Sequence, residues 1–432
     1  MWRSMLAVAA VLTGSLSSTA QAELDGRWIS DGGDVAVTLR FDTIDAEAAA
    51  ELDLPKYDVV GVPLRPAEVI EDRIHLRSAD KDFVVSLDLQ RDGEALSGSW
   101  NLRGREAPIR LIREERPFPF RVEKTSYDNA GLRLVAHLFL PTGDGPHPAL
   151  VFFHGSGDNM RHHYFSEATF LAEQGVAVLV PDKRGNHESE GNWKDVGFDA
   201  LAEDGIAGVR HLMQRDDIQA DRIGVIGISQ ACWIMPLAAT KCPDIRFIVA
   251  ISGAMVSVEE EGFYDFDWRL QQAGYGEEIR GRARALVELD NAVTRGTADM
   301  AALVAEIKAV RKEPWFKAME FHPAPHGVAD RAFYGRIIDH DPMPLWRELH
   351  LPVLFVYGME DESVDAPTSI ALLRPLLDEP GRDFTLKTFE GANHGIRVPG
   401  LEAKGVPLMK HAPGYYDTLA TWLREKNFAP AP

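Results

Sequence analysis

The sequence is short of cysteine, of positive charge and of long hydrophobic runs, and each shortage closes off a class of protein. Two cysteines in 432 residues cannot build a disulfide framework. Lysine and arginine total 46 against 66 aspartates and glutamates, a formal charge of −20. A surface so acidic repels phosphate backbones and anionic lipid headgroups, so nucleic acid is not expected as a partner. Beyond the first two dozen residues no stretch approaches the roughly 20 apolar residues of a membrane helix, so no span is expected in the mature protein. Nothing repeats at a fixed period. What is present is globular: 45% hydrophobic and 26% charged residues, in a chain long enough for at least two units.

The first residues read as a processing segment. Arg3 supplies a positive start, Met5–Leu16 is apolar but too short to span a bilayer, and Ala20-Gln21-Ala22 gives the small-x-small pattern of a cleavage site. Residues 1–22 are expected to be a signal peptide, with the mature chain beginning near Glu23 and working in the periplasm or outside the cell. Export permits a disulfide, yet Cys232 and Cys242 both fall in one expected helix, where ten residues separate them by about 15 Å. A bridge needs Cα atoms within about 7 Å, so both are expected to be buried thiols.

From residue 23 to about 115 the pattern has period two, with turn residues between runs such as Val35–Phe41, Arg73–Arg77, Phe83–Leu89 and Ala107–Ile112. Asp92-Gly93 between two such runs is a hairpin signal. These residues predict a small all-β domain, a sandwich or a barrel. Arg116–Phe120, with two prolines, follows as a stiff linker.

From 121 to 432 the pattern changes. After the strand-like runs Arg121–Tyr127 and Leu132–Leu140, apolar strands alternate with helical patterns at Ala149–Phe153, Val176–Val180, Arg222–Ile228, Phe247–Ile251 and Pro352–Tyr357. Near-continuous apolar strands separated by helices predict an α/β domain, a mostly parallel sheet with helices on both faces. Between Ser257 and Trp346 the alternation stops and the periodicity is helical, as in Arg282–Val293 and Met300–Lys312. An insertion of that length at the carboxyl edge of a parallel sheet sits above the ligand crevice, so 257–346 is expected to be a helical lid.

The chemistry-bearing residues sit at the expected strand ends. Gly227-Ile228-Ser229-Gln230-Ala231 follows a strand and opens a helix. A serine in such a tight turn projects its hydroxyl above the sheet, and small neighbours are needed because the turn crowds the backbone. The helix N-terminus adds free N–H groups and partial positive charge for an oxyanion. A serine nucleophile needs a base, and His394 in Gly391-Ala-Asn-His-Gly395 follows the strand-like Phe384–Phe389. The base needs an orienting carboxylate; the loop after Pro352–Tyr357 offers Glu360, Asp361, Glu362 and Asp365, which sequence separation alone does not distinguish. His154-Gly155-Ser156-Gly157 follows the strand Ala149–Phe153, where glycines let the backbone aim the Ser156 N–H at a substrate oxygen, with the Gln230 N–H as second donor.

At these residues the chain resembles the α/β-hydrolase superfamily, and within it the serine esterases and peptidases related to the dipeptidyl and acylaminoacyl peptidases. The resemblance runs over about 300 residues. It rests on His154–Gly157, Pro181-Asp-Lys-Arg-Gly185, the serine turn with Trp233 downstream, and Gly358–Val364 with Gly391–Gly395, in the order usual for the fold. It implies an α/β-hydrolase fold and a Ser-His-Asp triad of Ser229, His394 and Asp361, the acid being fixed by the G-x-x-D-x-x-V pattern from Gly358 to Val364. Asp182–Gly185 and Asp204 match positions usual in such proteins and are expected to be structural. One departure stands out: Ala231-Cys232 replaces the usual Gly-Gly, and Cys232 is expected to be a packed thiol.

No cofactor and no metal are expected. His162, His163, His187, His322 and His326 lack zinc-site context, and Pro323 and Pro325 forbid a helix between the last two. Glu259–Glu261 reads as a solvated helix start. The expected activity is cleavage of a small-molecule carboxylic ester through an acyl-enzyme. An aminopeptidase or acyl-peptide hydrolase acting on a peptide-like substrate would use the same residues, with Glu259–Glu261 and Asp265 available to bind an amine. A non-catalytic binding protein on the same scaffold would have no reason to keep the three residues in order.

Overall fold

A computed structural model describes Leu24, residues 26–30, 38–44, 47–54, 59–64, 68–70, 72–78, 85–102 and 104–114, then 119–319, 328–403 and 406–431. The expected signal peptide, most of the proline linker, and His322 and His326 lie outside the described residues. The chain divides into two compact units: residues up to Pro117 with Leu401–Leu408, and Phe118–Gly400 with Met409–Pro432.

The first unit is built on an antiparallel sheet that has nine strands among the described residues. They are β1 (Gly26–Ser30), β2 (Thr38–Ile44), β3 (Glu47–Leu54), β4 (Val59–Leu64), β5 (Glu68–Ile70), β6 (Arg73–Arg77), β7 (Val85–Asp92), β8 (Ala95–Leu102) and β9 (Arg105–Glu114), in the order β4-β3-β2-β1-β9-β8-β7-β6-β5. A bridge between Leu64 and Ser78 ties the β4 edge back to the chain leaving β6, so of the two expected forms the sheet takes the barrel-like one. Alternation explains its core: Val85, Leu87 and Leu89 of β7 are buried with Trp28, Leu76 and Trp100. The Asp92-Gly93 signal is a hairpin turn, with Asp92 opposite Ala95 and Gly93 at a left-handed φ of 63°.

The second unit holds an eight-stranded sheet. Its strands are β10 (Phe120–Asn129), β11 (Leu132–Pro141), β12 (His147–Phe153), β13 (Ala177–Pro181), β14 (Ile218–Ile228), β15 (Ile248–Ile251), β16 (Val353–Gly358) and β17 (Phe384–Phe389). The order is β10-β11-β13-β12-β14-β15-β16-β17, antiparallel for the first three and parallel from β13 to β17. Strands β12 and β13 are buried along their whole length, as a sheet covered on both faces requires. The covering helices include α1 (Phe165–Glu173), α2 (Phe198–Met213) and α3 (Ala231–Lys241). The chain steps from β12 outward to β13 and then back across to β14, so the order reverses there and opens a crevice at the carboxyl ends of β12 and β14.

Between β15 and β16 come, among the described residues, six inserted helices: α4 (Val258–Gln272), α5 (Glu277–Thr294), α6 (Met300–Val310), α7 (Pro314–Ala318), α8 (Val328–Ile337) and α9 (Met343–Glu348). The first four, α4 to α7, share a core of their own that includes Phe266, Leu286, Leu303 and Trp315, whereas Phe333 and Ile337 of α8 and Met343 and Trp346 of α9 are buried in the core of the main sheet. The acidic start of α4 departs from the solvated reading. Only Glu260 is exposed, and it closes a capping box with Ser257, whereas Glu259 is paired with Arg295 at 2.7 Å and Glu261 is half-buried. The remaining elements are α10 (Ala366–Leu377), the hairpin β18 (Arg397–Ala403) and β19 (Val406–His411), and α11 (Tyr415–Glu425).

Candidate active site

Ser229 occupies the turn between β14 and α3 at a φ of 59°, a left-handed conformation that a serine adopts only under constraint. The constraint is visible: its N–H donates to the Ile251 carbonyl at 2.9 Å. A Cβ on Gly227 would lie 2.4 Å from the Ala231 Cβ and 2.8 Å from the Phe153 carbonyl, so both small neighbours are obligatory. Gln230, not Ser229, stands at the N-cap position of α3, and its side chain makes no capping bond. Cys232 is fully buried with its thiol 3.5 Å from the Ile251 carbonyl, and burial raises its pKa, which leaves it inert. The bulkier residue fits because Gly253, past the end of β15, has no Cβ; one there would lie 2.3 Å from that of Cys232.

Asp361 and His394 meet on the loops after β16 and β17. His394 Nδ1 lies 3.0 and 2.9 Å from the two carboxylate oxygens of Asp361, whose side chain has no exposed surface. Asp361 Oδ1 also accepts the N–H groups of Ser363 and Val364, both at 2.8 Å. Among the other carboxylates of that loop, Asp365 caps α10 through the Thr368 N–H, Glu362 accepts the His394 backbone N–H at 3.1 Å, and Glu360 is exposed. Burial alone would lower the His394 pKa, but the bond and charge of Asp361, with Glu362 and Glu261, outweigh it and raise the pKa above the usual histidine value. The loop is seated tightly. A Cβ on Gly358 would come within 2.3 Å of the Asn393 carbonyl and 2.4 Å of the Ala392 carbonyl. Gly358→Ala must therefore displace the segment carrying His394. The expected cost is about 1–3 kcal/mol in stability, read from urea unfolding, and on the order of 10²-fold in turnover.

Ser156 is exposed and Gln230 buried, and among the described residues neither backbone N–H meets an acceptor of the chain. The Gly155 N–H, by contrast, is taken by the Tyr164 hydroxyl at 3.0 Å. Parallel register carries Ser229, Asp361 and His394 to one edge of the sheet, since Ile228 stands beside Ile251, Ile251 beside Val356, and Gly358 beside Phe389. Direct contact is made by Asp361 and His394; among the described residues no hydrogen bond joins Ser229 to His394. In such sites the serine–histidine bond often closes only around substrate.

Two groups on α4 reach this edge: Tyr264, which no sequence signal announces, and Glu261, one of the acidic residues that the peptidase alternative makes available to an amine. Tyr264 donates its hydroxyl to the Asp361 carbonyl at 2.9 Å. Glu261, one turn earlier on the helix, is raised to about 8 by burial, by Asp265 and by Asp361, with His394 opposing. Asp182 and Asp204 are structural: Asp182 is paired with Arg161 and Asp204 with Arg184, each at 2.6 Å. Among the described residues Asp182, His187 and Glu188 form a possible metal-ligating group, but the Arg161 guanidinium already bonds both carboxylates at 2.6 Å.

The sheet order, the reversal at β12 and β14, and a serine held at a strand-to-helix turn above it define the α/β-hydrolase fold, with Ser229 at the turn where that fold carries a nucleophile. Residues 130–387 match the X-Pro dipeptidyl-peptidase (S15) family. That is more than half of the sequence, and the chain belongs to this family. The matched region includes Ser229 and Asp361 and ends before His394.

The chain is 23% identical over 307 residues to Esterase EstD of Thermotoga maritima, covering 67% of this chain and 65% of the esterase. It is 30% identical over 125 residues to the uncharacterized peptidase YtmA of Bacillus subtilis, covering 28% of this chain and 48% of the peptidase. The chain thus spans less than two thirds of either relative. Among solved structures, the esterase PF2001 of Pyrococcus furiosus matches 71% of this chain and 91% of its own at 15% identity, with a TM-score of 0.45. A score of that size leaves the fold to be read from the sheet order itself.

Proposed function

We propose that this serine hydrolase is exported and cleaves carboxylic esters through an acyl-enzyme. Ser229 attacks the ester carbonyl while His394 takes its proton, and Asp361 holds the imidazole in the tautomer that leaves Nε2 free to accept. The tetrahedral oxyanion is bound by the N–H groups of Ser156 and Gln230. His394 then protonates the departing alcohol, and a water molecule activated in the same way releases the acid. The observation that carries the reading is the bond from His394 Nδ1 to the fully buried Asp361 carboxylate, at the sheet edge where Ser229 is held at positive φ. Labelling with a fluorophosphonate, peptide mapping of the adduct, and turnover on a panel of acyl esters test it. An adduct on a residue other than Ser229 refutes the assignment. Recovery of a mature chain beginning near Glu23 from a periplasmic or culture fraction tests export.

A peptidase reading is favoured by the S15 family match and by Glu261. Its carboxyl has no lysine or arginine partner among the described residues and feels the charges of His394 and Asp361. Near neutral pH it is mostly protonated, and a substrate ammonium brought against it would restore its charge. If the substrate carries such an amine, Glu261→Gln is expected to lower kcat/KM for aminoacyl arylamides roughly tenfold or more while acyl esters stay within about threefold. An equal effect on both substrates would leave the ester reading alone.

A further inference from the structure

The geometry points to Lys183 as the positioning residue that sets both oxyanion donors at once; this rests on the assignment of the Ser156 and Gln230 N–H groups made above. Lys183 lies just past the end of β13 and is 3% exposed. Its Nζ donates to the Gly155 carbonyl at 2.9 Å, to the Gly157 carbonyl at 3.1 Å and to the Gln230 side-chain oxygen at 3.1 Å. An ammonium group has three N–H donors, and here each has one acceptor. Two acceptors flank Ser156 and the third belongs to the residue after Ser229. No carboxylate among the described residues pairs with the ammonium. Asp158 receives the Trp193 ring N–H at 2.8 Å, and Lys183 Nζ lies over that ring, 4.6 Å from its centre.

A buried cation without a counter-ion is costly, so the arrangement asks for a reason. The peptide unit between Gly155 and Ser156 is planar and trans, so its carbonyl and its N–H point in opposite directions. Fixing the Gly155 oxygen on Lys183 aims the Ser156 N–H away from it, and a cation on the oxygen polarises the unit and strengthens that N–H as a donor. Gln230 is gripped by its side chain while its backbone N–H stays free. One ammonium therefore registers two donors carried by different strand ends, those of β12 and β14. Asn159 Nδ2 supports the loop from the carbonyls of Gly155, Ser156 and Gly157, at 3.3, 2.7 and 3.2 Å, but it is uncharged.

This device carries its own pH dependence. Burial lowers the Lys183 pKa to about 7, with Asp158 working against it. A neutral amine has two donors for three acceptors, so one segment is released as pH rises through that value. The groups around it are Asp158 and His154 in the loop after β12, Gln230 ahead of α3, and Lys194, which also lies over the Trp193 ring at 5.3 Å. His154 is kept neutral by burial, at about 3, and does not titrate in this range. Activity is expected to rise as His394 loses its proton and to fall as Lys183 loses its own.

The test is Lys183→Met, followed by kcat, KM, fluorophosphonate labelling rate and a pH profile of kcat/KM. The expected result is a fall of roughly 10–10²-fold in kcat and in labelling rate, KM within about threefold, and loss of the descending alkaline limb. Unchanged kcat, or a lower kcat with the alkaline limb intact, would overturn the inference. Should Lys183→Met fail to fold, the pH profile of Glu261→Gln decides, since that variant removes the group at about 8 whose titration would overlap that of Lys183 at about 7. A descending limb that persists there supports Lys183, and its absence up to pH 9 refutes it. A wild-type adduct away from Ser229 would instead strike the underlying assignment, so the two failures are distinguishable.

Discussion

Ser229→Ala is expected to reduce kcat by about 10⁶-fold and to abolish fluorophosphonate labelling, while the protein still folds. The size follows from how the residues act. With the nucleophile gone, His394 and Asp361 have no proton to move, and what remains is the contribution of the oxyanion donors and of substrate binding, about 10³–10⁴ over water. Folding is expected to survive because the backbone of the turn, not the hydroxyl, holds the position. The N–H of residue 229 keeps its bond to the Ile251 carbonyl, and the small residues Gly227 and Ala231 that the turn requires are unchanged. Alanine at the same left-handed φ bears about the same strain as serine, so the unfolding free energy should change by less than about 0.5 kcal/mol. Labelling of the variant at the wild-type rate would show the nucleophile to be elsewhere.

Much of this centre was legible because its signals are local. The apolar runs that became β12 to β17 need only period and length, and the turn at Ser229 needs only small residues at 227 and 231. Choosing the acid required more. Asp365 carries an N-cap signature that could have set it aside, since Ala366 and Pro367 open α10 right after it, but nothing local separates Asp361 from Glu362. Asp361 is distinguished by the N–H groups of Ser363 and Val364 folding back onto its oxygen, which is a property of the loop's path. The hairpin β18–β19 escaped notice because Pro399 and Pro407 interrupt both runs, and a proline argues against a strand unless it lies at an edge, as each strand of a two-stranded sheet does. The burial of Lys183 and Glu261 was missed for a different reason, although the first lay in a stretch expected to be structural and the second among residues offered for binding an amine. Charged side chains are read as solvated by default, and their burial depends on loops and a helix face brought in from distant segments.

Asp361→Asn keeps the shape of the acid and is expected to lower kcat on the order of 10⁴-fold, about 5 kcal/mol in the barrier. The hydrogen bonds dictate how. Oδ1 of Asp361 already accepts from Ser363 and Val364, so the asparagine oxygen stays there and its amide nitrogen replaces Oδ2, 2.9 Å from His394 Nδ1. An N–H facing Nδ1 forces that atom to accept, which moves the imidazole proton to Nε2, where it can no longer receive the serine proton. The pH profile should change in a defined direction. His394 works as a base when neutral, so activity appears as pH rises through its pKa, and in the wild type burial is outweighed by Asp361 and the pKa is raised. Without that charge burial prevails, so the acid limb of kcat/KM should move to lower pH while the plateau drops. Glu360→Gln, Glu362→Gln and Asp365→Asn should stay within roughly tenfold of wild type, because Glu360 is exposed and the amide oxygens can still accept from the His394 and Thr368 N–H groups. If Glu362→Gln were instead the crippled variant and Asp361→Asn near normal, the acid would be misassigned while the hydrolase class stood; if all four retained full turnover, the triad itself would fall.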